Sequence, residues 1–232
     1  MKNLRIESLV IALGLLLSGL CVYMGFRTFA ARDRSVQVRG FSEKVVPADK
    51  VVWPIPYKQA GNDLNTLYDN AARAMDITRR HLVENGIPEE EISISSPKVE
   101  DNWSNGYSNE REVQHYSLQQ VATVTTGRVD LARQLMDRMQ ELLQKGVPVA
   151  RDYSTETRYE FTQLDSIKPQ MVAEATHSAR QAAEKFAKDS GSRIGKIKHA
   201  TQGYFSVENR DENTPHMKKV RVVTSVEYYL NN

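Results

Sequence analysis

Two patterns of apolar and polar positions divide this chain. Residues 9–26, LVIALGLLLSGLCVYMGF, are apolar and carry no charge. A helix over them is about 27 Å long, close to the roughly 30 Å of a bilayer core. They predict a transmembrane helix. From residue 35 onward, short alternating stretches trade places with stretches whose apolar residues recur every three or four positions. The boundaries are a tail at 1–8, a membrane segment at 9–26, a linker at 27–34 and a folded domain at 35–232.

The folded part opens with a strand at 35–41, SVQVRGF, and a longer extended run at 45–59. In that run Val51, Trp53, Ile55 and Tyr57 share one face by the two-residue period. Pro54 and Pro56 have the opposite parity and no N–H, which predicts an edge position there. A helix is expected over 62–85, capped by Asn62 or Asp63 and stopped at Gly86. Its stripe is Leu64, Leu67, Tyr68, Ala71, Met75 and Leu82. Strands near 91–100 and 113–126 flank a polar loop and read as a long hairpin. A second helix, 128–145, turns Leu131, Leu135, Met139 and Leu142 inward and stops at Gly146. A strand at 149–161 follows, with Tyr153, Tyr159 and Phe161 on one side. A third helix spans 166–190, with Asp165 or Ser166 as cap, Pro169 in its first turn and Gly191 as stop. Its stripe is Met171, Ala175, Ala179, Ala182 and Phe186. Strands at 194–207 and 217–230 close the chain. The pattern predicts an α+β fold of order ββ-α-ββ-α-β-α-ββ, a mainly antiparallel sheet with three helices, preceded by one N-terminal transmembrane helix.

The apolar segment is longer than the 7–15 residues usual for a signal-peptide core. Phe29-Ala30-Ala31 is a poor cleavage site, because a large ring stands where a small residue is wanted. These features favour an uncleaved anchor that contacts membrane lipid through residues 9–26. Lys2 and Arg5 precede the segment and Arg27, Arg32 and Arg34 follow it, so flanking charge does not set the orientation. Cys21 is the sole cysteine. It excludes an intrachain disulfide, and Leu20 before it is too large for a lipidation signal.

Charge is balanced, with 31 basic against 29 acidic residues and a net charge of +2. That argues against a nucleic-acid partner, which calls for a basic stripe. Roughly 200 residues beyond the linker suffice for one domain or two small ones with proper cores.

The stretch VQVRGFSEKVVPADKVVWPI at 36–55 resembles the opening strands of SIMPL-domain proteins, a bacterial family formerly described only as a domain of unknown function. The correspondence runs through Val36, Val38, Gly40, Glu43, Pro47, Ala48 and Asp49. ARQAAEKFAKDSGSRIGKI at 179–197 resembles the family's Ala-rich helix and its glycine-containing exit. VRVVTSVEYYL resembles its closing strand. The likeness covers nearly all of 35–230, and its motifs are structural rather than catalytic. It implies an exported cell-envelope protein: here, a single-pass anchor in the bacterial inner membrane with the C-terminal domain in the periplasm. Links to oxidative-stress defence, and assembly into a large homo-oligomer, are implied by the resemblance alone.

No catalytic constellation emerges. His81, His115, His177, His199 and His216 lack metal-ligand spacing with each other or with a cysteine. His199, taken with Ile197 and Phe205, reads as a core histidine on an apolar strand face. There is no nucleophile elbow and no phosphate-binding glycine loop. Glu89, Glu90 and Glu91 read as a solvated turn. No cofactor and no metal is expected, and a small-molecule ligand is left open. Trp103 and Tyr107, on the polar loop 101–112, are the candidate contact residues, since aromatics on a polar hairpin tip mark contact surfaces. Three readings follow: a non-enzymatic, membrane-anchored homo-oligomer; a monomeric envelope module presenting the 101–112 loop; and an envelope enzyme whose site is built from scattered polar residues.

Overall fold

The computed structural model describes residues 2–31, 34–104, 114–150 and 155–231. Helix α1, Lys2–Ala31, contains Ser8–Phe26, which is long and apolar enough to cross a membrane. Leu9, Leu15, Leu16 and Phe26 are exposed along it. The fold is α+β with antiparallel pairing, as the pattern predicts, but it forms two sheets rather than one. The chain divides into two compact units, Met1–Lys44 with Asp165–Ser206 and Arg221–Asn232, and Val45–Leu164 with Val207–Val220.

The second unit is built on a five-stranded sheet. Its strands are β2 (Lys50–Gly61), β3 (Ile92–Ile94), β4 (Lys98–Asp101), β5 (Tyr116–Thr126) and β6 (Arg158–Glu160), in the order β3-β5-β2-β6 with β4 also on β5. Val51, Trp53, Ile55 and Tyr57 are all buried, each 4% exposed or less. They share one core with Leu67, Ala71 and Leu82 of α2 (Leu64–Glu84) and Ala132 and Leu135 of α3 (Val129–Asp137). The expected register is therefore the observed one. Asp63 caps α2, accepting from the amides of Asn65 and Thr66, while Asn62 Oδ1 accepts from the His115 amide. Tyr68, expected in the stripe, is 42% exposed, and Thr78 and His81 are buried instead.

The departures in this unit have local causes. The strand expected at 91–100 breaks into β3 and β4, because Ser95 Oγ takes the Val121 amide and Pro97 has no N–H to offer. The helix expected at 128–145 leaves helical dihedrals at Arg138 (φ −97°, ψ 15°), giving α3 and the short α4 (Gln140–Gln144). Of the strand expected at 149–161, β6 and an isolated bridge between Tyr57 and Val149 form among the described residues, and Tyr153 lies outside them. β2 is thus paired on both sides at 51–52, and the proline stretch, as expected, lies where β6 no longer pairs with it. The strand expected at 194–207 divides into β7 (Arg193–Gln202) and β8 (Ser206–Asn209), of which β8 belongs to this unit and pairs with β9 (Met217–Asn231).

In the first unit, β1 (Ser35–Pro47) and β7 lie on either side of β9. Helix α5, Leu164–Asp189, presents Met171, Ala175, Ala179, Ala183 and Ala187 as its buried line. The predicted stripe is right through Ala179 and then slips by one residue, so Phe186 is 62% exposed. Pro169 stands beyond the first turn, because α5 starts earlier than expected. Val38, Ala179, Ala183, Val226 and Tyr228 form the unit's core. Gly86, Gly146 and Gly191 all have positive φ, so each helix stop read from the sequence is a left-handed cap.

Candidate interaction site

The loop 101–112 leaves β4 at Asp101 and re-enters the sheet at Tyr116, residues that face each other across the ladder. Asp101 organises the exit. Its Oδ1 accepts from the amides of Trp103 (3.0 Å) and Ser104 (3.2 Å), and its carbonyl accepts from Ser104 Oγ. Opposite, Asn102 Nδ2 donates to the Gln114 carbonyl at 2.7 Å and to Ser117 Oγ at 2.9 Å. An aspartate that caps its own turn fixes the direction of the next side chains.

That direction places Trp103 on His115. Their ring centroids lie 3.9 Å apart at 11°, and His115 in turn stacks on Tyr116 at 3.9 Å and 22°. His115 Nε2 is 3.2 Å from Asp101 Oδ1. Partial desolvation would raise the Asp101 carboxyl pKa, but the Ser104 and Trp103 amides and the His115 ring outweigh it and hold it low. Asp101 is therefore an anion that locks both the turn and the middle ring. Trp103 has one face on His115 and remains 43% exposed. Tyr107 lies outside the described residues. The stack joins residues that no local spacing links, so the sequence offered Trp103 but not its histidine support.

The remaining histidines are scattered. His199, expected in the core, is exposed, with Nε2 3.0 Å from Thr201 Oγ1. Two register irregularities in β7, between Ile194 and Ile197 and between Ile197 and His199, break the alternation that placed it inside. The buried histidine is His81, 4% exposed, on the inner face of α2. Lys145 Nζ lies 3.1 Å from its Nδ1, and Glu141 Oε2 lies 3.8 Å from its Nε2. An ammonium only donates, so Nδ1 is the acceptor and Nε2 carries the proton toward Glu141. Burial first, and Lys145 second, push the His81 pKa down. The helical spacing of Thr78, His81 and Leu82 was the signal that could have marked it as buried. Glu89–Glu91 form an exposed-to-half-buried 3-10 turn in which Glu89 pairs with Arg79 at 3.1 Å. Among the described residues no three His, Cys, Asp or Glu side chains gather as a metal site.

A family model described as "SIMPL: Protein of unknown function (DUF541)" matches residues 36–228. In the comparison with curated proteins nothing matches. Among solved structures, the regulatory subunit of aspartate kinase from Thermus flavus is similar at 14% identity over 82% of this chain and 89% of that one. Its TM-score is 0.20.

Proposed function

The chain belongs to the SIMPL family, and from that premise we propose that it is a non-enzymatic, single-pass protein of the bacterial inner membrane, with its folded part in the periplasm, that assembles into a homo-oligomer. A role in envelope or oxidative-stress defence goes with this reading. The observation that carries the proposal is the Trp103 ring, half exposed and yet held rigid by His115 and the Asp101 turn. A pre-ordered aromatic loses little entropy on contact, and tryptophan is among the residues that dominate interface energetics. The anchor, Ser8–Phe26, favours a second copy as the partner, because it confines every copy to one plane and raises their mutual effective concentration. The proposed contact is Trp103 together with Tyr107.

The same ring would serve a monomeric module that presents the loop to a different envelope protein, and mass separates the two readings. Light scattering on the detergent-solubilised full chain is expected to give several subunits per particle. Trp103→Ser with Tyr107→Ser is expected to lower that mass while circular dichroism stays unchanged. A wild-type monomer would overturn the assembly; an unchanged assembly in the double variant would overturn the contact.

A further inference from the structure

Beside β2 the antiparallel ladder opens. β6 pairs with it only as far as Val52, opposite Arg158. Pairing resumes at the bridge between Tyr57 and Val149, where the Ala150 amide donates to the Pro56 carbonyl at 2.9 Å. Between these points stand Pro54 and Pro56, which have no N–H for a partner strand to accept. The prolines therefore leave no orphan donor at the gap. Pro54 has the parity of Pro56, so its carbonyl turns toward the same side. Among the described residues no hydrogen bond is seen to that carbonyl from this side.

Over the gap lies a cleft of about 630 Å³, within the range of small-molecule sites. Trp53, Met136, Met139 and Leu143 supply much of its apolar wall. Methionines adapt to ligand shape and make favourable contacts with aromatic rings. Among the described residues that line it, Glu156 alone is charged, and it is exposed. Among the described residues no lysine or arginine lines it. Glu156 and the Pro54 carbonyl both accept and would repel an anion, whereas a cation would meet two acceptors.

We infer that this cleft binds a compact apolar amine: an aromatic or branched aliphatic body against Trp53, Met136 and Met139, with its ammonium at Glu156 and the Pro54 carbonyl. The site is independent of the loop contact proposed above. Two probes of equal shape and opposite charge test it, 2-phenylethylamine and 3-phenylpropionate. Each is titrated into the full chain in lipid nanodiscs, with ¹³C-methyl methionine NMR as the readout. The amine is expected to shift the Met136 and Met139 signals saturably, with the carboxylate at least tenfold weaker. Glu156→Gln should weaken the amine at least threefold. Leu143 is 52% exposed, so Leu143→Arg should preserve the fold while repelling the amine from the cleft. Equal affinity for both probes, an unchanged affinity in Glu156→Gln, or no saturable shift at Met136 and Met139 would each overturn the inference. Shifts confined to Met24 in the apolar helix would report partition into lipid and also overturn it.

Discussion

Gly40 of β1 lies against the backbone of Ala175 in α5: a β-carbon at Gly40 would fall 2.0 Å from the Ala175 carbonyl oxygen and 2.3 Å from the Ala179 amide nitrogen. These are backbone atoms and cannot swing aside. The glycine in the V-x-V-x-G strand is thus required by close helix packing, and the alanines at 175 and 179 are its counterpart. Gly40→Ala is expected to destabilise the fold by about 1–3 kcal/mol, as overpacking does. Gly127→Ala is the control, since its nearest contact would be an ordinary 3.5 Å. Chemical denaturation of the full chain, followed by circular dichroism, checks both. Equal midpoints for Gly40→Ala and wild type would contradict the packing.

His81 predicts a pH dependence. Its folded-state pKa lies below the ordinary 6.5, through burial first and Lys145 second. The unfolded chain then binds the proton more readily than the folded one. The stabilisation from neutral His81 is fully present above pH 6.5 and is lost as pH falls toward the folded-state value. The loss has an upper limit of about 1.4 kcal/mol per pH unit. Lys145→Met removes the neighbouring cation and should flatten the slope below pH 6.5; His81→Gln should remove His81's share of it. His216, also shifted down chiefly by burial, keeps a slope of the same sign in both variants. Unfolding free energies at a series of pH values test this, and identical slopes in all three proteins would exclude the His81 account.

Trp53 is 4% exposed and packs in the core shared with α2. Trp53→Ala is expected to cost about 3–5 kcal/mol. A melting temperature within a degree or two of wild type would place the side chain outside the core.

Residues 9–26 are expected to remain in the mature protein. Intact mass and N-terminal sequencing of membrane-extracted chain are the measurements. A start near Ala31 or Arg32 would identify a cleaved signal peptide instead of an anchor.

Asp49, in the P-A-D stretch of the opening motif, accepts from the Thr162 amide at 2.8 Å and the Gln163 amide at 3.0 Å. Asp49→Ala leaves both amides without their carboxylate partner. The expected loss is about 1.5–3 kcal/mol, read by the same denaturation experiment, and Asp49→Asn should recover part of it.

The sequence by itself determined what depends on backbone period and local conformation. The apolar run defines α1, and alternation places Val51, Trp53, Ile55 and Tyr57 on one buried face. Glycine's freedom at positive φ marks three helix stops. These features follow from a repeat of two or 3.6 residues and from one residue's allowed dihedrals. Tertiary structure decided everything that joins distant residues. Lys145 reaches His81 across 64 positions, and Trp103 finds His115 only because β4 and β5 set their register. Irregularities in β7 turned His199 outward, and α5 slipped its buried line to Ala183 and Ala187. A period says which residues share a face; which face is covered, and by what, depends on packing against elements far away in the chain.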